Sequence, residues 1–130
     1  MVIQNLLLID DDNSCNSLVK FVLEQDTDWQ ILTTTDGQEG IAKAQLEQPD
    51  IILLDIMMPN VNGLDVYKTL KSDSYTSNIP IIFITAMTPI APILQSQITE
   101  EVDVIIKPFD VIELADLIIE SSNRHDSSVR

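Results

Sequence analysis

The chain has 130 residues, of which 45% are apolar, and 21 acidic against 7 basic residues give it a formal net charge of −14. The length and composition indicate one soluble domain with an ordinary core, and the charge disfavours binding to nucleic acid or to an anionic membrane surface, since both need a basic face. No apolar run approaches the roughly 18 residues of a membrane span, the first residues lack the basic start of a signal peptide, and a single cysteine excludes an intrachain disulfide, so we expect a cytoplasmic protein.

An apolar strand and an amphipathic helix open the chain. The run Leu6–Ile9 is apolar throughout, as in a strand buried on both faces. A helix is predicted from about Ser14 to Gln25, because apolar residues recur there at helical spacing. The face expected to point into the core carries Cys15, Leu18, Val19 and Val22.

A second strand and helix precede a third strand. Gln30–Thr34 predicts the second strand, and the capping-box pattern Asp36–Glu39 predicts the start of a helix that ends near Glu47. The inward residues of that helix are expected to be Ile41 and Ala44, with Leu46 as a further candidate. Asp50–Asp55 predicts the third strand, an apolar run that ends in a carboxylate.

The second half of the chain is predicted to begin with a short helix, a strand and a further helix. A short helix is expected at Leu64–Lys71 after a turn, and Ile79–Thr85 predicts the fourth strand. A fourth helix must begin near Pro89 and Pro92, since proline is tolerated only in the first turn.

The chain is expected to close with a fifth strand, Val102–Ile106, and a last helix that a second capping box opens at Asp110–Glu113. That helix is expected to end near Ser122. We therefore assign residues 1–122 to one domain and residues 123–130 to a polar C-terminal tail.

Polar side chains stand at the ends of four of these strands. Strands that alternate with helices predict a doubly wound α/β sandwich around a parallel sheet, whose strand ends converge at a switch point. The converging residues are Asp10, Asp11, Asp55, Thr85 and Lys107. Clustered carboxylates repel unless a cation compensates, and a hard ion such as Mg²⁺ suits them. An aspartate can also act as the nucleophile in phosphoryl transfer.

Five segments carry a family resemblance: Leu8–Asp12, Pro49–Pro59, Asn62-Gly63, Ile84–Ala86 and Lys107–Phe109. In this order and at these strand ends, they resemble the receiver domain of two-component response regulators. The resemblance covers about residues 6–122. It implies a flavodoxin-like, doubly wound sheet of five parallel strands in the order 2-1-3-4-5, with five helices.

The resemblance implies a phosphoacceptor and a metal site. Asp55 would take a phosphoryl group from a phosphohistidine on a histidine kinase or phosphotransfer protein. Mg²⁺ or Mn²⁺ would be held by Asp11, Asp55 and the backbone carbonyl of Met57, with Asp10 acting through water. Asp12 would be an outer or solvated residue.

The resemblance also implies a switch. Thr85 and Lys107 would bind the phosphoryl group, Thr85 would move with it, and the Lys107–Pro108 peptide bond would be cis. Val104 departs from the family pattern, because receivers usually carry an aromatic switch residue at that position.

Two methionines flank the expected phosphoryl site, Met57 and Met87. Polar residues at these positions can place a hydrolytic water, and methionine hydrogen-bonds water poorly. We therefore expect a comparatively long-lived phosphoaspartate, whose lifetime both positions tune.

The output is expected to pass through a downstream protein partner, because the chain resembles a stand-alone receiver. A phosphorelay intermediate, a phosphate sink and an adaptor with a vestigial site are alternatives. Ile112 and Ile119 lie on a flank of the last helix that should meet solvent. With Val104 they could form an apolar face for a homodimer or partner through helix four, strand five and helix five, although a fully covered stripe fits equally well.

Other interpretations use the same residues. Asp10-x-Asp12-x-Ser14 faintly resembles the first motif of haloacid-dehalogenase-like phosphatases, but that assignment leaves Asp55 unexplained. A nucleotide-binding flavodoxin-like module lacks a phosphate-cradling loop here. Taken singly, Asp10 and Asp12 could cap a helix and Lys107 could be a solvated charge. Cys15 is interpreted as a core residue rather than a redox site.

Overall fold

The computed structural model describes residues 2–58, 61–86 and 102–127 and, between the last two ranges, residues 92, 94, 96 and 98. Within this part of the chain lie five strands and four helices. The strands are β1 (Asn5–Ile9), β2 (Gln30–Thr34), β3 (Ile51–Asp55), β4 (Ile81–Thr85) and β5 (Asp103–Ile106). The helices are α1 (Asn13–Asp26), α2 (Gly37–Glu47), α3 (Gly63–Ser72) and α4 (Leu114–Ser127).

All five strands pair in parallel, in the order β2-β1-β3-β4-β5. The sheet therefore confirms the predicted doubly wound topology. β1 lies between β2 and β3, with Leu7 beside Leu32 on one side and Ile52 on the other. Strands in the middle of such a sheet are covered on both faces, which explains why β1 and β3 are apolar without alternation.

Two apolar clusters cover the two faces of the sheet. Alternate strand residues such as Leu6, Leu8 and Leu53 pack with α1 and α4. Their neighbours, such as Leu7 and Phe83, pack with α2 and α3. The period-two alternation of strand side chains thus divides the core into two layers.

The predicted inward faces of α1 and α2 are partly wrong. Leu18 is 50% exposed and Leu46 is 80% exposed. On α1 the buried residues are Asn16, Val19 and Leu23. The Asn16 amide donates to the Asp10 carbonyl at the end of β1, so this stripe, and not the one with Leu18, faces the sheet. On α2 the buried residues are Gly37, Gly40 and Ala44, since small side chains let the helix approach β1 closely.

The last helix differs from its prediction at both ends. Asp110 does not open it: the Asp110 carboxylate accepts a hydrogen bond from the Ile112 N–H at 2.9 Å, and the helix begins at Leu114 after this turn. It continues to Ser127 rather than ending near Ser122. Arg124 donates to the Asp103 carboxylate at 2.9 Å, which ties the helical continuation to β5.

The predicted fourth helix lies mostly outside the described residues. Pro92, Leu94 and Ser96 are helical, and the Ile98 N–H donates to the Leu94 carbonyl at 2.8 Å. Among the described residues, no helix is long and apolar enough to cross a membrane.

Candidate functional site

The carboxyl ends of four neighbouring strands bring the predicted site residues together. Asp10 follows β1 directly, Asp55 ends β3 and Thr85 ends β4. In the parallel register, Asp55 pairs with Ile84 and Thr85 pairs with Ile106, so Lys107 follows β5 at the same edge. The Lys107 N–H donates to the Thr85 carbonyl at 2.8 Å, which extends the ladder into the site.

Three carboxyl groups and one ammonium group form the centre of the site. One carboxylate oxygen from each of Asp10, Asp11 and Asp55 lies within 4.8 Å of the others. The Lys107 Nζ lies 2.6 Å from Asp10 Oδ2 and 3.5 Å from Asp55 Oδ2. Asp10 and Asp55 are buried, whereas Asp11 is exposed and gives the cluster its opening to solvent.

Backbone N–H groups orient both buried carboxylates. The Asp12 N–H donates to Asp10 Oδ1 at 3.0 Å, and the Met57 N–H donates to Asp55 Oδ1 at 3.0 Å. On Asp55 this leaves Oδ2 on the side of Lys107. Each carboxylate is therefore held by one main-chain donor and faces the same ammonium group.

The turn after β3 brings Met57 to the site. Met57 forms an isolated bridge with Asn62, and the Gly63 N–H donates to the Ile56 carbonyl at 2.9 Å. A Cβ on Gly63 would lie 2.2 Å from the Asp55 carbonyl oxygen. Glycine is therefore required where α3 begins against the backbone of the phosphoacceptor candidate.

Burial and charge separate the pKa values of the two buried acids. Burial, followed by the negative charge of Asp10, raises the pKa of Asp55 to about 7. Burial alone would raise the pKa of Asp10 too, but the hydrogen bond from Lys107 and the Asp12 N–H outweigh it and hold that pKa below its ordinary value. Burial likewise opposes the charged form of Lys107, yet Asp10 and Asp55 raise the Lys107 pKa overall.

This donor set fits a small divalent cation. Three ionised carboxylates and one ammonium group leave a formal charge of −2, and all the available ligands are oxygens. Hard oxygen ligands with one solvent-exposed member suit Mg²⁺ or Mn²⁺, which keep part of their water shell. Burial of two of the carboxylates also gives a bound cation a strong effect on their charge.

Asp12 lies outside the cluster and caps α1. Its carboxylate accepts hydrogen bonds from the Ser14 N–H at 2.9 Å and the Cys15 N–H at 3.1 Å. The capping alternative thus holds for Asp12 and not for Asp10. Cys15 packs partly buried against the core, and its burial, with the charge of Asp10, raises the pKa of its thiol to about 11. A thiol with that pKa is a poor nucleophile, in keeping with the core interpretation.

The remaining predictions concern the peptide bond after Lys107, the switch position, the two isoleucines and the side chains of the two methionines. The Lys107–Pro108 peptide bond is cis. Val104 is partly buried against the cluster that contains Phe83. Ile112 is 79% exposed and Ile119 is 40% exposed, so both meet solvent as expected. Met87 lies outside the described residues, and the Met57 side chain is mostly exposed.

One buried polar residue beside the site was not anticipated from the sequence. Asn16 donates through Nδ2 to the Asp10 carbonyl at 2.8 Å. The signal was present in its spacing, because Asn16 precedes Val19 by three residues and Leu23 by seven. A polar residue on the apolar stripe, just after an acidic motif, indicates a buried contact with that motif.

The sequence of the chain is similar to those of known proteins. Residues 6–119 match the family model described as the response regulator receiver domain. The chain is 38% identical over 109 residues to the DNA-binding dual master transcriptional regulator RpaA of Synechocystis, covering 84% of this chain and 45% of that protein. It is 36% identical over 110 residues to the transcriptional regulatory protein TrcR of Mycobacterium tuberculosis, covering 84% and 41%. The chain thus spans less than half the length of these two curated relatives.

Solved structures show the same fold. The chemotaxis response regulator CheY4 of Vibrio cholerae superposes with a TM-score of 0.81 at 27% identity, over 92% of this chain and 99% of that one. A CheY-like receiver domain protein of Methanospirillum hungatei superposes with the same TM-score of 0.81 at 19% identity, over 98% and 99%, which is a likeness of fold.

Proposed function

This chain belongs to the response regulator receiver domain family, and on that basis we propose that it is a phosphorylation-activated switch whose phosphoacceptor is Asp55. The observation that carries the proposal is the placement of Asp55 at the carboxyl end of β3, where it is buried and its Oδ2 lies 3.5 Å from Lys107 Nζ. A carboxylate in that position is a nucleophile with a cation already beside the place where negative charge accumulates.

The chemistry is a phosphoryl transfer between a nitrogen and an oxygen. Asp55 Oδ2 attacks the phosphorus of a phosphohistidine on a histidine kinase or phosphotransfer protein. A P–O bond forms as the P–N bond breaks, and the imidazole leaves with the electron pair of that bond. The Met57 N–H holds Oδ1 aside at 3.0 Å, so that Oδ2 is presented for the attack.

Asp11, Asp55 and the Met57 carbonyl would hold Mg²⁺ or Mn²⁺, with Asp10 acting through water. Such a cation, when bound, neutralises charge on the phosphoryl oxygens and keeps Asp55 ionised. Lys107 would exchange part of its pairing with Asp10, now at 2.6 Å, for the new phosphoryl oxygens. Lys107 and Asp10 would therefore both change their contacts when Asp55 is phosphorylated.

Phosphorylation of Asp55 would change the conformation of the protein around β4 and β5. It adds about two negative charges and three acceptor oxygens to Asp55. Thr85, which ends β4 beside the site, would supply a hydroxyl to them. Val104 occupies the position of the usual aromatic switch residue, so the signal would leave through backbone movement around Thr85 and Lys107 rather than through a ring rotation. Protein partners would recognise the phosphorylated form, since 21 acidic residues against 7 basic ones disfavour contact with nucleic acid.

The competing assignments have less support. Asp12 caps α1, so it is not placed to serve as the second aspartate of a haloacid-dehalogenase-like phosphatase. An adaptor with a vestigial site would have no need to keep Asp10, Asp55 and Lys107 paired in a buried cluster.

Labelling with acetyl phosphate and Mg²⁺ tests the proposal. Wild type should gain one phosphoryl group and Asp55→Asn none, because the amide is not a nucleophile. Asp116→Asn, which changes an exposed acid on α4, is the matched control and should label like wild type. Labelling of Asp55→Asn at the wild-type level would rule out Asp55 as the phosphoacceptor.

A further inference from the structure

Asn16 is a polar residue on the buried stripe of α1. Its side chain is only 3% exposed, and it lies one turn before Val19, which packs in the core. An amide at a core position is unfavourable unless its polar atoms are hydrogen-bonded. The contacts of this amide therefore indicate what it does.

The Asn16 amide ties α1 to the ends of two strands. Its Nδ2 donates to the Asp10 carbonyl at 2.8 Å and lies 3.4 Å from the Thr34 carbonyl. The Asp10 N–H also donates to the Thr34 carbonyl, at 3.1 Å. Asp10, Thr34 and Asn16 thus form a closed set of contacts where β1, β2 and α1 meet.

The oxygen atom of the Asn16 amide is not hydrogen-bonded in the same way as its nitrogen. Asn16 Oδ1 is buried and has no hydrogen-bond partner among the described residues. A buried acceptor without a donor is unfavourable, and an apolar side chain of similar size, such as leucine, would avoid it. Packing of α1 therefore does not account for asparagine at this position. The donor group on Nδ2 does.

The Asn16 amide donates to Asp10, which is a member of the acidic cluster. The Asp10 carboxylate is fully buried, and it is held by the Asp12 N–H at 3.0 Å and by Lys107 Nζ at 2.6 Å. Both of these contacts fix the end of the side chain. The Asn16 contact fixes the main chain from which the side chain projects, at the point where β1 ends.

We propose that Asn16 is a positioning residue, which holds the main chain of Asp10 so that the acidic cluster is preorganised for a divalent cation. Carboxylates that bind a cation, directly or through water, need their orientation set by such outer contacts, and loss of one typically lowers metal affinity at least tenfold. This inference rests on the proposed function, because it requires that the cluster of Asp10, Asp11 and Asp55 binds a cation.

Mn²⁺ binding measures this role without any phosphoryl transfer. The electron paramagnetic resonance signal of free Mn²⁺ gives the dissociation constant for wild type, Asn16→Leu and Asn16→Ala. Both variants remove the donor, and both should raise the dissociation constant about tenfold. Leucine keeps the branched shape and the number of heavy atoms of the side chain, and alanine is small enough to fit in the same space.

Val19→Ala is the matched control. It truncates a buried residue of the same helix that packs in the core one turn away, so it destabilises α1 without removing a contact to Asp10. It should leave the Mn²⁺ dissociation constant within twofold of wild type.

The outcomes separate the inference from the proposed function. A wild-type dissociation constant in either folded Asn16 variant overturns the positioning role, as does an equal loss of affinity in Val19→Ala. If wild type binds no Mn²⁺, the metal site of the proposed function fails, and the positioning role fails with it. Wild-type binding with a tenfold loss in both Asn16 variants alone supports both.

Discussion

At the scale of single residues, Asp10 and Asp55 share one buried site but are expected to differ in charge. The pKa of Asp10 lies below its ordinary value because Lys107 and the Asp12 N–H outweigh burial, whereas burial and the charge of Asp10 raise that of Asp55 to about 7. Without a cation, neutral solution therefore contains an Asp55 that is partly protonated and a poorer nucleophile. A divalent cation bound beside Asp55 would lower its pKa and favour the ionised form.

The raised pKa of Asp55 predicts how stability depends on pH. A carboxyl whose folded pKa exceeds its unfolded value favours the folded state while it is protonated, so that contribution is lost as pH rises from about 4 towards 7. In cation-free buffer, Asp55→Asn should be as stable as wild type at pH 5. At pH 8 it should be more stable by about 1–3 kcal/mol in free energy of unfolding.

Urea unfolding at the two pH values measures this difference. Mg²⁺ is the internal control, since it should stabilise wild type at pH 8 and have less effect on Asp55→Asn. An equal difference between the two proteins at pH 5 and pH 8 would mean that Asp55 titrates in its ordinary range.

Methionine at position 57 predicts a long-lived phosphoaspartate, because its side chain hydrogen-bonds an attacking water poorly. Met57→Asn should shorten the lifetime of the label about tenfold, because one hydrogen bond of about 1.4 kcal/mol to the attacking water corresponds to that factor. Met57→Leu keeps the position apolar and should leave the lifetime unchanged. The rate at which radiolabel is lost after removal of acetyl phosphate measures the lifetime in each variant. Rapid loss from wild type that Met57→Asn does not alter would refute the role of this position.

At the scale of elements, the strands followed from the sequence, whereas the inward faces of α1 and α2 followed only in part. Each predicted strand lies within two residues of its observed bounds, since apolar runs have few alternatives in a covered sheet. The largest strand discrepancy is at β4, where Pro80 has no N–H to donate and the ladder begins at Ile81. On α1, in contrast, helical periodicity predicted an inward face that is only partly correct. The buried stripe contains Asn16 rather than Leu18, and a search for apolar residues alone does not find it.

The junction of β3 with α3 depends on one glycine. Gly63→Ala should destabilise the protein by more than about 3 kcal/mol, because its Cβ would lie 2.2 Å from the Asp55 carbonyl oxygen and 2.6 Å from Ile56 Cα, both main-chain atoms. Gly37→Ala is the matched control. Its Cβ would meet side-chain atoms of Val61 and Val66 at 3.0 Å, which can shift, so the loss should be much smaller. Urea unfolding distinguishes the two, and equal stabilities would contradict the close approach at Gly63.

At the scale of the whole molecule, the doubly wound sheet and the convergence of its strand ends followed from the pattern, because a right-handed crossover leaves few topologies for alternating strands and helices. The order of the five strands was implied by the family resemblance, and the structure has that order. The extent of the last helix did not follow from the pattern. Its continuation to Ser127 depends on Arg124 reaching Asp103 on β5, a long-range contact that no local pattern encodes. The assignment of residues 1–122 to the domain stays a prediction.

The exposed isoleucines of the last helix and the turn before it bear on assembly. Ile112 and Ile119 are exposed, and we expect them to contribute to a homodimer that phosphorylation strengthens. Sedimentation velocity should show a larger dimer fraction with a phosphate mimic, and Ile112→Lys should abolish it. Leu46→Lys, at an exposed apolar residue on α2, should have no effect. A monomer with and without the mimic would remove the dimer.

The identity of the phosphorylated residue tests the account most directly. Borohydride reduction of the acetyl-phosphate-treated protein converts an acyl phosphate into a stable alcohol, and peptide mass mapping then locates it. We predict that the reduced side chain lies at Asp55, and that it appears only when Mg²⁺ or Mn²⁺ is present. A reduced side chain at Asp10 or Asp11, with Asp55 unmodified, would contradict the account.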